Sequence, residues 1–229
     1  MGYDVSFHPI SPDEIQEWHF TPLTWIQQGQ EEKVLALAMQ HGIEDFYAEK
    51  YLDTLRVGAE TEPDELFDKS HGFYIAVIQG FFRDYYYTRG SAFSFLAEEK
   101  PEYARYFTPW AQVVPTALPN PAKNQIIENY CSGVYLSPNQ VLQILRDLEQ
   151  EPKVLEDLEK HWSDGQFAVL KKALTAAAEL GTGLLEATEV VEPNPLHPNE
   201  STCYWNCSGF SMSGPMKTIP PQYLTSLPI

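Results

Sequence analysis

The chain contains few basic residues, few cysteines and no long apolar run, and each shortage excludes a class of protein. Fifteen Lys and Arg stand against 32 Asp and Glu in 229 residues, which gives a formal net charge of -17. Such a surface repels phosphates, so we expect no binding to nucleic acid or to an anionic membrane surface. No stretch approaches the roughly 18 consecutive apolar residues of a membrane-spanning helix. The acidic excess instead favours plain solubility or a basic partner.

The three cysteines are too few, and odd in number, for a disulfide framework. Cys203 and Cys207 are four residues apart and, even with His197, supply one ligand fewer than a structural zinc site needs. We therefore predict no metal and no cofactor, and we leave open whether Cys203 and Cys207 pair. The first five residues lack the basic and apolar regions of a secretory signal, so we expect a cytoplasmic protein.

Sequence signatures of catalysis are equally scarce. The chain has no glycine-rich phosphate loop, no His-Glu-x-x-His metal motif and no Gly-x-Ser-x-Gly nucleophile elbow. We therefore assign no catalytic residue. A catalytic site can nevertheless be assembled from residues far apart in sequence. The alternative is thus a hydrolase-like enzyme whose pocket lies near the end of the central helix and uses His71, Arg83 and Asp84.

The pattern of apolar residues predicts a mainly helical fold. Residues 11–14 and 137–140 each combine an N-cap serine, a proline at the first helical position and Glu or Gln at the third, which is a strong helix start. We expect Thr21-Pro22 to stop the first of these helices. Residues 71–87 are apolar on nearly all sides, which indicates a buried central helix. Further helices are expected over 31–40, 43–57, 92–99, 101–107, 152–162 and 166–180.

Short strands are expected at 3–10, 131–136 and 184–191. Seven prolines between residues 193 and 228 make the C-terminal region unsuited to a regular helix or a central strand. We therefore predict an α+β fold that is mainly α with a few short strands. A single helical domain with a small sheet covers residues 1–191, and an irregular Pro-rich segment, 192–229, packs on it.

Acidic residues are concentrated between residues 31 and 68, where eleven carboxylates face three basic side chains, for a net charge of -8. Such a stretch is either a solvated helix face or a docking face for a cationic protein, which would speed association and weaken with salt. In the second case an acidic loop enters a cleft of the partner, with charges at its rim and an aromatic anchor. The predicted partner-binding residues are Glu31, Glu32, Glu44, Asp45, Glu60, Glu62, Asp64, Glu65, Trp110 and Trp205.

Two stretches at the ends of the predicted domain carry a family resemblance. Residues 184–195, LLEATEVVEPNP, and residues 1–10, MGYDVSFHPI, resemble bacterial proteins encoded beside secreted polymorphic toxins. Those proteins look like immunity factors, which bind and neutralise a cognate toxin. The resemblance covers about 22 residues and contains no chemical motif, so it transfers no catalytic or binding residue to this chain.

Composition and resemblance agree on one function. A toxin that acts on nucleic acid or nucleotides often has a basic site, and an acidic inhibitor can occupy that site by mimicking phosphate charge. We therefore predict a cytoplasmic, acidic binding protein that neutralises a basic effector, specifically an immunity protein against a secreted bacterial toxin. Its partner is a basic protein, such as the cognate toxin.

Overall fold

A five-stranded antiparallel sheet lies at the centre of the structure. The computed structural model describes residues 3–60, 71–109, 112–113, 133–162, 165–190 and 202–203. The strands follow the spatial order β3-β4-β1-β2-β5. Strand β1 pairs with β2 on one side, Val5 opposite Thr88, and with β4 on the other, His8 opposite Leu185. The strands are β1 (Tyr3–Ile10), β2 (Tyr86–Gly90), β3 (Tyr135–Leu136), β4 (Gly183–Thr188) and β5 (Thr202–Cys203).

Helices make up most of the remaining described chain, which confirms the α+β class predicted from the sequence. A π-helical turn (Gln16–Phe20) joins the first two helices, and a 3-10 helix (Pro101–Tyr106) follows the sixth. The α-helices are α1 (Pro12–Ile15), α2 (Thr21–Gln27), α3 (Glu31–Gln40), α4 (Asp45–Glu60), α5 (His71–Phe82), α6 (Phe93–Glu99), α7 (Pro138–Gln150), α8 (Pro152–His161) and α9 (Gln166–Leu180).

The sheet separates two hydrophobic cores because successive side chains of a strand point to opposite faces. On β1, Val5 and Phe7 join the core formed with α6 to α9, whereas Ile10 joins the core formed with α1 to α5. The predicted central helix is confirmed as buried, since every residue from 72 to 81 is buried. Both faces of the sheet are therefore covered by helices.

The two helix starts predicted from serine and proline are confirmed. Ser11 accepts a hydrogen bond from the Glu14 N–H, while the Glu14 carboxylate accepts one from the Ser11 N–H at 2.8 Å. Ser137 and Gln140 form the same reciprocal arrangement at the start of α7. Each box satisfies two backbone donors that a helix otherwise leaves without partners.

Several element boundaries differ from the sequence prediction, and three of these differences have a clear physical reason. Helix α5 ends at Phe82 instead of residue 87, because the tyrosines that follow become β2 and complete one side of β1. Pro22 does not stop the first helical segment: it stands in the first turn of α2, where its missing N–H costs nothing. Helix α4 continues through Gly58 to Glu60, and a Cβ at Gly58 would lie 3.3 Å from the Tyr74 ring, so glycine allows α4 and α5 to pack closely.

The C-terminal Pro-rich segment is described at two residues. Thr202 pairs with Tyr87 and Cys203 with Tyr86, which places β5 at the edge of the sheet beside β2. The other residues of 192–229 lie outside the described ranges. The packing of the whole segment, and the division of the chain at residue 191, therefore stay predictions.

Candidate functional site

Helices α3 and α4 form an antiparallel pair that divides the predicted acidic face into two ends. Helix α3 has ten residues and is about 15 Å long, so the residues at its start are well separated from the turn that leads into α4. Glu31 and Glu32 lie at its start, whereas Glu44 and Asp45 lie beyond its end, where α4 begins. The predicted face therefore consists of two clusters with different charge balance.

The cluster at the start of α3 is largely neutralised. Arg56 donates to both oxygens of Glu31, Nε to Oε1 at 2.9 Å and a terminal nitrogen to Oε2 at 2.6 Å, and it also contacts Asp53 at 2.9 Å. These hydrogen bonds hold the pKa of Glu31 below its usual value. Glu31 is thus part of an ion pair, and Glu32 is exposed beside it; the partner-binding role of both stays a prediction.

The other end carries carboxylates that remain available. We call the side chains of Glu44, Asp45, Glu49 and Phe46 the acidic corner. The three carboxylates are exposed, and none of them forms an ion pair with a Lys, Arg or His within the described residues. Phe46 lies among them with 63% of its surface exposed. The corner therefore combines negative charge with a large, mostly exposed apolar side chain, over whose ring Lys50 Nζ lies at 5.9 Å from the centroid.

Phe46 differs in exposure from the other large apolar side chains of α4. Tyr51, Leu52 and Leu55 are buried in the core, whereas Phe46 is exposed. The sequence signal for this exposed orientation is a set of charged residues at helical spacing from Phe46. Positions three, four and seven residues after Phe46 are Glu49, Lys50 and Asp53, which share its face of α4.

A further carboxylate lies close to the corner. Glu17, in the π-helical turn, has an oxygen 3.3 Å from Nε2 of His41, and His41 directly follows α3. The His41 ring also packs edge-on against Trp18 and Phe82, with ring centroids 6.0 Å and 5.1 Å away. The contacts of His41 with Trp18 and Phe82 thus hold the turn between α3 and α4 against the core.

Five predicted partner-binding residues lie outside the described residues, namely Glu62, Asp64, Glu65, Trp110 and Trp205. Glu60 is the last residue of α4. The loop and the aromatic anchor predicted from the sequence therefore stay predictions.

The residues of the alternative catalytic site do not converge. His71 begins α5 and Asp84 follows its end, so about 18 Å of helix separates them. Arg83 contacts the Glu14 carboxylate and lies over the Trp18 ring, with its guanidinium carbon 5.2 Å from the ring centroid. Asp84 is 8% exposed, and burial raises its pKa to about 7. The backbone of His71 thus lies a helix length away from Arg83 and Asp84, too far for one pocket to be formed by all three.

A buried chain of hydrogen bonds links Ser6 and His8 of β1 to Gln79, and a serine bonded to a histidine also occurs in catalytic relays. Gln79 donates to the carbonyls of Pro9 and Asp84, so its side-chain oxygen accepts from Nδ1–H of His8 at 2.8 Å. The His8 Nε2 then accepts from the Ser6 hydroxyl, also at 2.8 Å. Burial lowers the pKa of His8 to about 4. Ser6 and His8 are each 1% exposed, so a substrate cannot reach them and the network is structural.

A buried carboxylate on β4 has a similar structural role. Glu186 accepts hydrogen bonds from the backbone N–H groups of Phe93 at 2.5 Å and Ser94 at 3.1 Å. It thereby ties the centre of the sheet to the first turn of α6. Burial raises the pKa of Glu186 to about 7, because the backbone donors offset only part of the cost of removing the charge from water.

Comparison of the chain with protein-family models, curated proteins and solved structures gave no match. Among the described residues, no group of three or more His, Cys, Asp and Glu side chains is placed to hold a metal ion. Within the same residues, none of the helices has the length and apolar character needed to cross a membrane. The function must therefore be argued from the acidic corner itself.

Proposed function

We propose that this protein binds and neutralises a basic effector protein, and specifically that it is an immunity protein acting in the bacterial cytoplasm against a secreted toxin. The observation that carries the proposal is the exposed Phe46 among unpaired carboxylates. A large exposed aromatic side chain gains free energy when a partner covers it. The carboxylates around it make a cationic surface the complementary partner.

The two components of the corner have different roles in the proposed complex. Phe46 can bury its ring in a pocket of the partner, and aromatic anchors of this kind carry much of the binding energy of an interface. Glu44, Asp45 and Glu49 act at longer range, because unpaired charges attract an oppositely charged protein before contact is made. We therefore expect Phe46 to control dissociation and the carboxylates to control association.

The overall charge supports the same partner. At a net charge of -17, the whole molecule attracts a basic protein and repels nucleic acid. A toxin whose active site binds phosphate groups would offer the cationic cleft that the acidic corner fits. The resemblance of residues 1–10 and 184–195 to immunity factors points to the same class of partner.

The test begins with isolation of the partner by co-purification from the native host, followed by stopped-flow measurement of association and dissociation rates. Replacing Glu44, Asp45 and Glu49 by Gln, Asn and Gln should slow association roughly tenfold at low salt, with a smaller effect at high salt. Phe46→Ala should instead speed dissociation, since truncation of an anchor acts mainly on that rate.

The matched control changes the same number of charges elsewhere. Glu149, Glu156 and Glu159 are exposed on α7 and α8, and replacing all three by Gln alters net charge equally. If the control slows association as much as the corner variant does, overall charge and not the acidic corner directs binding. If no basic protein co-purifies and the protein instead turns over a small molecule, the binding function is wrong.

A further inference from the structure

A cavity of about 400 Å³ lies between α6 and the last turns of α8, away from the acidic corner. Its volume is within the range of small-molecule sites, which starts at about 300 Å³. Six of its seven lining residues are polar or charged, namely Ser91, Glu99, Lys100, Asp157, Lys160 and His161.

The hydrogen bonds of His161 fix which of its nitrogens carries a proton. Nε2 lies 2.9 Å from the Ala92 carbonyl oxygen and 2.9 Å from the Ser91 hydroxyl oxygen. A carbonyl can only accept, so Nε2 is the protonated nitrogen and donates to both oxygens. The Ser91 hydroxyl is then an acceptor toward His161, and its own proton remains available. This hydrogen-bond arrangement opposes activation of Ser91 as a nucleophile, because the protonated Nε2 of His161 cannot accept the hydroxyl proton of Ser91.

The negative charge of Asp157 is already satisfied by neighbouring groups. Lys100 contacts one of its oxygens, and the Tyr103 hydroxyl donates to the other at 2.8 Å. The hydrogen bond from Lys100 is the main reason that the pKa of Asp157 lies below its usual value. Asp157 therefore orients Lys100 and has little capacity left for a ligand.

The polar groups that remain uncommitted in the cavity are mainly donors. Lys160 is exposed and forms no ion pair with any of the residues the structure describes. Its ammonium group, the Ser91 O–H and the remaining N–H groups of Lys100 can all donate. Glu99 is the opposing charge, and it is exposed. A cavity with an excess of donors is complementary to an oxyanion.

We propose that this cavity binds the oxyanion of a small molecule, the phosphate group of a phosphate monoester or a carboxylate, held by Lys160 and Ser91 with Lys100 behind them. The site is independent of the proposed partner surface. The net charge of the protein opposes anions at long range, but at physiological salt this repulsion is screened over about 8 Å, so nearby donors decide binding.

The test uses inorganic phosphate and acetate as probes, with ionic strength held constant by chloride. The readout is the imidazole resonances of His161 in NMR spectra, assigned with His161→Gln. We expect saturable shifts in the millimolar range. Saturation by phosphate alone identifies a phosphate site and saturation by acetate alone a carboxylate site; saturation by both supports a general oxyanion site. Saturation by neither overturns the proposal.

Two variants locate the binding. Lys160→Met keeps the aliphatic stem and removes the charge, and should weaken binding roughly tenfold. Ser91→Ala should weaken it by a smaller factor, since a neutral donor is lost. The control is Lys172→Met, which removes an exposed lysine from α9 outside the cavity lining. An equal loss in Lys160→Met and Lys172→Met would show that overall charge is responsible and would overturn the assignment.

Discussion

Replacement of the buried carboxylate Glu186 by Gln should change how stability depends on pH. In the native state the pKa of Glu186 is raised from 4.5 to about 7. Between these values the native state holds a proton that the unfolded state has released. Stability therefore falls as pH rises across this window and becomes constant above pH 7.

The size of the effect follows from the shift. One unit of pKa corresponds to about 1.36 kcal/mol, so Glu186 should lower the free energy of unfolding by roughly 2 to 3 kcal/mol between pH 5 and pH 8. Glu186→Gln keeps an oxygen able to accept one of the two backbone N–H groups of Phe93 and Ser94, and it removes the titration. The free energy of unfolding of the variant should therefore not show this decline between pH 5 and pH 8. Any pH-independent loss of stability caused by the substitution does not affect this comparison.

The assay is urea unfolding, followed by tryptophan fluorescence at pH 5, 6, 7 and 8. Contributions from His8 and Asp84 are present in both proteins and cancel when the pH profiles are subtracted. Glu179→Gln, at an exposed position on α9, is the control with the same change of charge. Parallel profiles for wild type and Glu186→Gln would refute the argument, because they would show that burial of Glu186 does not perturb its titration.

Three further measurements test the packing of the fold. Phe81→Ala, which empties a site 1% exposed on α5, should cost about 3 to 5 kcal/mol of unfolding free energy; a loss under about 1 kcal/mol would contradict its buried position. The His8 imidazole should stay neutral down to about pH 4 in NMR titrations, and a midpoint at its usual 6.5 would refute the buried network. Ser137→Ala should cost about 1 kcal/mol by removing the cap of α7, whereas Asn139→Ala, at an exposed position in the same turn, should change stability much less.

Local signals account for the parts of the fold that the sequence predicted. The two capping boxes involve residues three positions apart, so their geometry is encoded within one helical turn. The end of α9 at Gly181 is equally local, since its φ of 68° favours glycine. Elements with such boundaries agree closely with the structure.

The boundaries and contacts that the sequence did not predict depend on distant parts of the chain. Tyr85, Tyr86 and Tyr87 are compatible with a helix or a strand. The strand conformation of Tyr86 and Tyr87 results from their pairing with β1, which is distant in sequence. Arg56 neutralises Glu31 across 25 residues of sequence. The Ser91–His161 contact in the cavity spans 70 residues. No spacing rule connects such pairs before the fold is known.

The position of β1 in the sheet has a consequence for synthesis. This strand leaves the ribosome before every other described element, and it lies between β2 and β4, which emerge about 80 and 180 residues later. Until β4 has been synthesised, the backbone groups along one edge of β1 are unpaired, and the side chains of Phe7 and Ile10 are only partly buried. An unpaired edge strand is a site for aggregation. The nascent chain should therefore depend on chaperones until β4 has been made, and ribosome-bound chains that end before residue 183 should remain sensitive to protease.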